Sequence, residues 1–149
     1  MERQAVPVIA DFMTPAPHVV SPDAPLPQAQ ALMLEHGFHH VPVMRGDELV
    51  GILSDRDVAL VQCVSRRGAD EFFVADVVMR NPYVVAPDAP LTKVAREMVD
   101  RRIGSAVVVD GKRVAGVFTV TDALEALVEV LEGTYIARAS ARRGPEAQH

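Results

Sequence analysis

Two stretches hold the residues best suited to specific chemistry. They read Gly51-Ile52-Leu53-Ser54-Asp55-Arg56-Asp57 and Gly116-Val117-Phe118-Thr119-Val120-Thr121-Asp122. Each runs glycine, two apolar residues, a hydroxyl residue, two variable positions and an aspartate. The apolar pairs are predicted to end strands, and the hydroxyl residues to open helices. Such a junction presents free backbone N–H groups at a helix N-terminus, where donors and dipole together favour a phosphate. The Ser54 or Thr119 hydroxyl adds a further contact. Asp57 or Asp122, one turn on, is an acceptor-only carboxylate that suits a pair of vicinal hydroxyls. Phosphate donors and a hydroxyl acceptor one turn apart suit a ribonucleotide, and the glycine permits close backbone approach. A plainer role competes. Ser or Thr followed by an acid at the third position is close to a capping box, which needs no ligand. Two occurrences in matching positions favour a site, although duplication copies a cap as readily.

Other constellations carry less. His36, His39 and His40 resemble a metal cluster, but Gly37 breaks the helix needed to align them and no thiolate stands nearby, so no metal is expected. Ser54, the histidines and Asp57 lack a nucleophile-elbow pattern. Asp55 and Asp57 diverge on a helix and do not pair as catalytic acids. No glycine-rich phosphate loop with a lysine is present. The expectation is a non-enzyme with no catalytic residues. Met33 and Met98 read as fillers of core gaps.

The elements that must position these residues come in two copies. Shifted by 65 residues, the chain matches itself without a gap: PHVVSPDAPL at 17–26 answers PYVVAPDAPL at 82–91, and Asp11/Asp76, Met33/Met98, Gly51/Gly116 and Asp57/Asp122 coincide. Units of roughly 60 residues are small to be stable alone, so they are expected to pack face to face with pseudo-twofold symmetry. Each starts with a short strand at Val19-Val20 or Val84-Val85. A helix follows, with Asp23 or Asp88 expected to cap its first turn and Pro25 or Pro90 fitting there. Leu91, Val94, Ala95, Met98 and Val99 keep helical spacing, as do Leu26, Ala29 and Met33 more weakly. Two strands around a tight turn come next, Val41–Met44 with Leu49–Leu53 and Ala106–Val109 with Val114–Phe118. Second helices are expected near 54–64 and 119–131, the latter with an apolar stripe of Leu124, Leu127, Val128 and Leu131. The order β-α-β-β-α, twice, defines an α/β (α+β) fold. The division is 1–66 for the first repeat with an N-terminal segment, 67–132 for the second, and 133–149 for a polar tail, with Arg138, Arg142 and Arg143, that is expected to be disordered.

Composition excludes several classes. The 149 residues are 49% hydrophobic and 23% charged, ordinary globular usage. A net charge of −5 and 5% aromatics argue against a nucleic-acid binder. No apolar run approaches a membrane span, and the first residues lack a secretory pattern. The single Cys63 reads as a small core residue of a reduced protein, so a cytoplasmic location is expected.

The set of motifs resembles a stand-alone cystathionine-β-synthase (CBS) domain pair, a Bateman module. The resemblance rests on Asp11-Phe12-Met13-Thr14-Pro15, His39-His40-Val41-Pro42-Val43 and Gly51–Asp57, then on Asp76–Met79, Ile103-Gly104-Ser105-Ala106-Val107-Val108 and Gly116–Asp122. It implies two clefts, commonly a disc-like homodimer, and an adenosine-containing ligand (AMP, ADP, ATP or S-adenosylmethionine) rather than a tightly bound cofactor. Asp57 and Asp122 would each hold a ribose, with Ser54 and Thr119 near phosphate or ribose. The Asp57 cleft would borrow Ile103, Gly104 and Ser105, and the Asp122 cleft Phe38, His39 and His40. Val20 and Val85 would wall the adenine. Arg56 would contact phosphate in the first cleft, where the second has Thr121, so unequal sites are expected. The implied function is regulatory sensing, with the signal passed to a protein partner in trans. The alternative is a ligand-free dimerisation or scaffold module.

Overall fold

The computed structural model describes residues 6–16, 18–66 and 68–136, so residues 137–149, including the tail arginines, lie outside the described residues. The elements in chain order are β1 (Thr14–Pro15), α1 (Leu26–His36), β2 (His40–Arg45), β3 (Glu48–Ser54), α2 (Asp55–Val64), α3 (Val74–Val77), β4 (Met79–Arg80), β5 (Val84–Val85), α4 (Leu91–Arg101), β6 (Ser105–Asp110), β7 (Arg113–Thr119) and α5 (Val120–Leu131). Short 3-10 turns precede β1 and α3, at Ile9–Asp11 and Ala69–Glu71. The result is a mixed α+β fold with two sheets, and the repeated strand–helix–hairpin–helix order is present. At the first strand position Val20 makes only an isolated parallel bridge to Val43, whereas β5 pairs in parallel with β6. No helix among the described residues is long and apolar enough to cross a membrane.

The hairpins are the frame. β2 and β3 pair antiparallel around Gly46-Asp47, and β6 and β7 around Gly111-Lys112. Gly46 and Gly111 both sit at positive φ, as such tight turns demand. Each hairpin's outer edge is covered by a segment from the other repeat. The sheet orders are β1-β7-β6-β5 and β2-β3-β4. Thr14 and Pro15 lie opposite Val117 and Gly116, and Met79 and Arg80 opposite Ile52 and Gly51. The helix starts are tied the same way: Leu26 N donates to Phe72 O and Leu91 N to Pro7 O. Edge strands leave unpaired polar groups, and this exchange satisfies them.

The cores follow the exchange. One contains Leu26, Met33, Val41, Leu53 and Val58 together with Val74 and Val78, and the other contains Val94, Met98, Val108 and Phe118 together with Ile9 and Phe12. Ile52, Val107 and Val117 form a third buried cluster with residues from both hairpins. Phe12 also stacks on Tyr135, whose hydroxyl donates to Asp11 Oδ2 at 2.6 Å, so the chain just after α5 is tied to the N-terminal segment.

The expected caps of α1 and α4 and the expected core position of Cys63 are corrected. Asp23 and Asp88 do not cap α1 and α4: Pro25 and Pro90 occupy the N-cap positions and no side-chain cap bond forms. The aspartates sit in the preceding turn, too early in the chain to reach the helix N–H groups. On α5 the apolar stripe faces outward. Asp122 and Ala126 are its buried residues, while Leu124, Leu127, Val128 and Leu131 are exposed. Cys63 is also exposed rather than in the core.

Candidate functional site

Asp55 and Val120, the first residues of α2 and α5, donate their backbone N–H groups to His39 O and Gly104 O, just before the hairpins begin. This places both helix starts beside the chain entering β2 and β6. A cavity of about 570 Å³ opens there, within the usual range for small-ligand sites. Its walls come from both repeats: Ser54, Asp55 and Arg56 at one helix start, Thr119, Thr121 and Asp122 at the other, with His39 and His40 between.

The two junctions differ in detail. At α5 the capping box is complete. Asp122 Oδ2 accepts from Thr119 N at 2.8 Å and Thr119 Oγ1 at 3.1 Å, while Asp122 N donates to Thr119 Oγ1. Oδ1 accepts from Thr14 Oγ1 at 3.1 Å. This carboxylate is only 6% exposed and is satisfied by three donors. At α2, Ser54 Oγ accepts from Asp57 N at 3.0 Å, but the half-buried Asp57 carboxylate accepts no hydrogen bond among the described residues. The plainer capping role is thus realised at one junction in full and at the other by half, and in neither case is the cavity filled.

The remaining predicted residues divide clearly. Gly104 lines the cavity, but Asp57, Ile103 and Ser105 are not among its walls. Ser105 is buried opposite Thr119, and Ile103 packs on the second core. Val20 and Val85 are buried in the two cores rather than lining the cavity. Arg56 lines the same cavity as Thr121 and Asp122, although the sequence assigned that cation to the Asp57 cleft.

The histidines are not equivalent. His39 Nδ1 lies 2.6 Å from Asp55 Oδ2, an exposed pair at the rim. His40, on β2 opposite Ser54, is half-buried. Burial holds its imidazole below the ordinary pKa, against the opposing pull of Asp55 and, more weakly, of Asp57 and Asp122. His36 stacks on His18 with ring centroids 4.4 Å apart, and Phe38 joins them. Among the described residues no three His, Cys, Asp or Glu side chains are grouped as a metal site.

Thr14, His18 and Glu125 are wall residues that sequence reasoning did not single out. Thr14 lies 108 positions from Asp122, and only the β1–β7 pairing brings it there. Glu125 had a readable signal, since it stands one helical turn beyond Asp122.

The comparisons with known proteins identify the family. The CBS domain family matches residues 9–62 and 74–129, and the chain belongs to that family. The chain is 28% identical over 118 residues to the CBS domain-containing protein YhcV of Bacillus subtilis, covering 76% of this chain and 81% of that one. Among solved structures it resembles CBSX2 in complex with AMP (27% identity, TM-score 0.65, 83% of this chain and 98% of that one). It also resembles the CBS domain of the bacterial CNNM/CorC family Mg2+ transporter in complex with ATP (28%, TM-score 0.69, 81% and 87%). Two longer curated relatives are matched only in part. The chain spans 31% of zinc metalloprotease MJ0392 of Methanocaldococcus jannaschii, at 29% identity over 78% of this chain. It spans 15% of an inosine-5'-monophosphate dehydrogenase of Korarchaeum cryptofilum, at 35% identity over 54% of this chain.

Proposed function

We propose that this CBS pair is a non-catalytic regulatory module that takes an adenosine-containing ligand, AMP, ADP, ATP or S-adenosylmethionine, into the cavity between its repeats. One observation carries the reading: two helix N-termini from different repeats face one open cavity that also holds a buried carboxylate. In this reading ribose hydroxyls join or displace Thr14 on Asp122, and the tail extends toward Ser54, Thr119 and Arg56. Asp57, Ile103, Ser105, Val20 and Val85 serve a second, weaker subsite or act only in packing. The ligand favours one arrangement of repeats or subunits, and a protein partner reads that arrangement in trans. A homodimer in the cytoplasm, with no tightly bound cofactor, is the assembly this role calls for. The named ligands of CBSX2 and of the CorC-family domain support the ligand class.

The closed capping box at Asp122 favours a second reading, a scaffold whose cavity stays empty. A thermal-shift panel separates the two. Stabilisation by any adenosyl compound, rising with its concentration, is expected for a sensor. No shift with any of the four compounds establishes the scaffold.

A further inference from the structure

The cavity is large enough for any adenine nucleotide, so its size does not choose among them, but its charge does. Three carboxylates line it, Asp55, Asp122 and Glu125, against one permanent cation, Arg56. Two of the carboxylates are engaged, Asp55 by His39 and Asp122 by Thr14 and Thr119. Glu125 is different. It is exposed on α5, one turn past Asp122, and has no hydrogen-bond or ion-pair partner among the described residues. Its counterpart in the first repeat is Leu60, while the counterpart of Arg56 is Thr121. Asp55, in turn, is answered by Val120, so the α5 end has lost one cation and one acid and gained another acid, and it is more negative than the α2 end by a single charge. The two helix N-termini contribute about half a positive charge each, and with Arg56 they offset a single phosphate group of about two negative charges and leave nothing over for a chain of them.

Resting on the adenosyl reading above, we propose that the cavity takes an adenosyl compound whose tail carries at most one phosphate group, a monophosphate or a zwitterionic amino-acid tail, and that Glu125 is the residue that rejects di- and triphosphates. A monophosphate is held between Arg56 and the helix starts, which offset its charge. A longer polyphosphate adds charges that Arg56 and the helix starts no longer offset, and the Glu125 carboxylate in the same cavity repels them.

The test is isothermal titration of the full chain with AMP, S-adenosylmethionine, ADP and ATP, in EDTA so that no divalent cation masks the phosphates. AMP or S-adenosylmethionine is expected to bind about tenfold or more tightly than ATP. Glu125→Gln, an exposed and nearly isosteric change, is expected to tighten ATP about fivefold while leaving AMP within about twofold. ATP binding as tightly as AMP, or an ATP affinity indifferent to Glu125→Gln, overturns the proposal and leaves the adenosyl reading intact. Failure of all four compounds to bind refutes the adenosyl reading itself.

Discussion

Asp57 and Asp122 occupy the same place in their repeats and have different surroundings. One difference is a single residue on an exchanged strand. β1 brings the Thr14 hydroxyl to Asp122, whereas the matching position on β4 is Met79, whose thioether donates nothing. Replacing Asp122 by Ala removes the cap and orphans buried donors, so a loss of about 1–2 kcal/mol in urea unfolding is expected. Asp57→Ala should cost under about 0.5 kcal/mol, and equal losses would contradict the asymmetry. Here the sequence was half legible. The S/T-x-x-D pairs and the histidine segment were readable from local spacing, but Thr14 depends on a contact across 108 positions that no local pattern encodes. His40 gives a pH prediction. Its folded pKa lies below the ordinary imidazole value because burial disfavours the charged form. The unfolded chain therefore binds the extra proton first as pH falls through about 6.5, and stability present above that pH is lost below it. Urea midpoints at about pH 7.5 and 5.5 should differ less in His40→Asn than in the parent. An undiminished difference in the variant would show that His40 contributes nothing to it.

The repeated helix–hairpin–helix unit is legible because the short valine-rich runs of the hairpins and the helical spacing of Val94 and Met98 are local signals. The exchange of leading segments is not. A two-residue strand such as Thr14-Pro15 carries no periodicity, and the edges of β3 and β7 would accept either one. The outward direction of the α5 stripe is not legible for a related reason: apolar spacing marks a face, and only packing shows what covers that face. The exchange also explains Gly51 and Gly116. A Cβ added at Gly116 would lie 2.5 Å from Thr14 O, and one at Gly51 would collide with Met79 O, so the close approach these glycines permit is that of β1 and β4. Gly116→Ala and Gly51→Ala should each cost about 1–3 kcal/mol of stability by forcing the paired strand away. Only Gly116→Ala should also weaken ligand binding, because β1 carries Thr14. Equal binding in both would uncouple β1 from the site.

At the scale of the whole molecule, the helices leave much apolar surface uncovered. Leu34 is 84% exposed on α1, Val64 78% on α2, Val99 74% on α4 and Leu131 76% on α5. On α5, Leu124, Leu127, Val128 and Leu131 are exposed together at helical spacing, and a contiguous apolar stripe of this kind marks an interaction surface. In the proposed homodimer the α5 stripe is covered, so light scattering should give twice the chain mass. Leu127→Glu should shift that value toward the monomer, and a parent protein that is monomeric throughout would contradict the assembly. A dimer contacted through α5 lies next to the cavity, since the same helix carries Asp122 and Glu125, and a ligand that moves the start of α5 biases the interface.

The most direct test is calorimetric titration of AMP into the parent chain and into Asp122→Asn, which keeps the size and most of the hydrogen bonding of the carboxylate but not its charge. The account predicts saturable binding by the parent and a loss of about tenfold or more in the variant, with its fold intact by circular dichroism. Equal affinity in the two proteins would contradict the claim that this carboxylate holds the ribose.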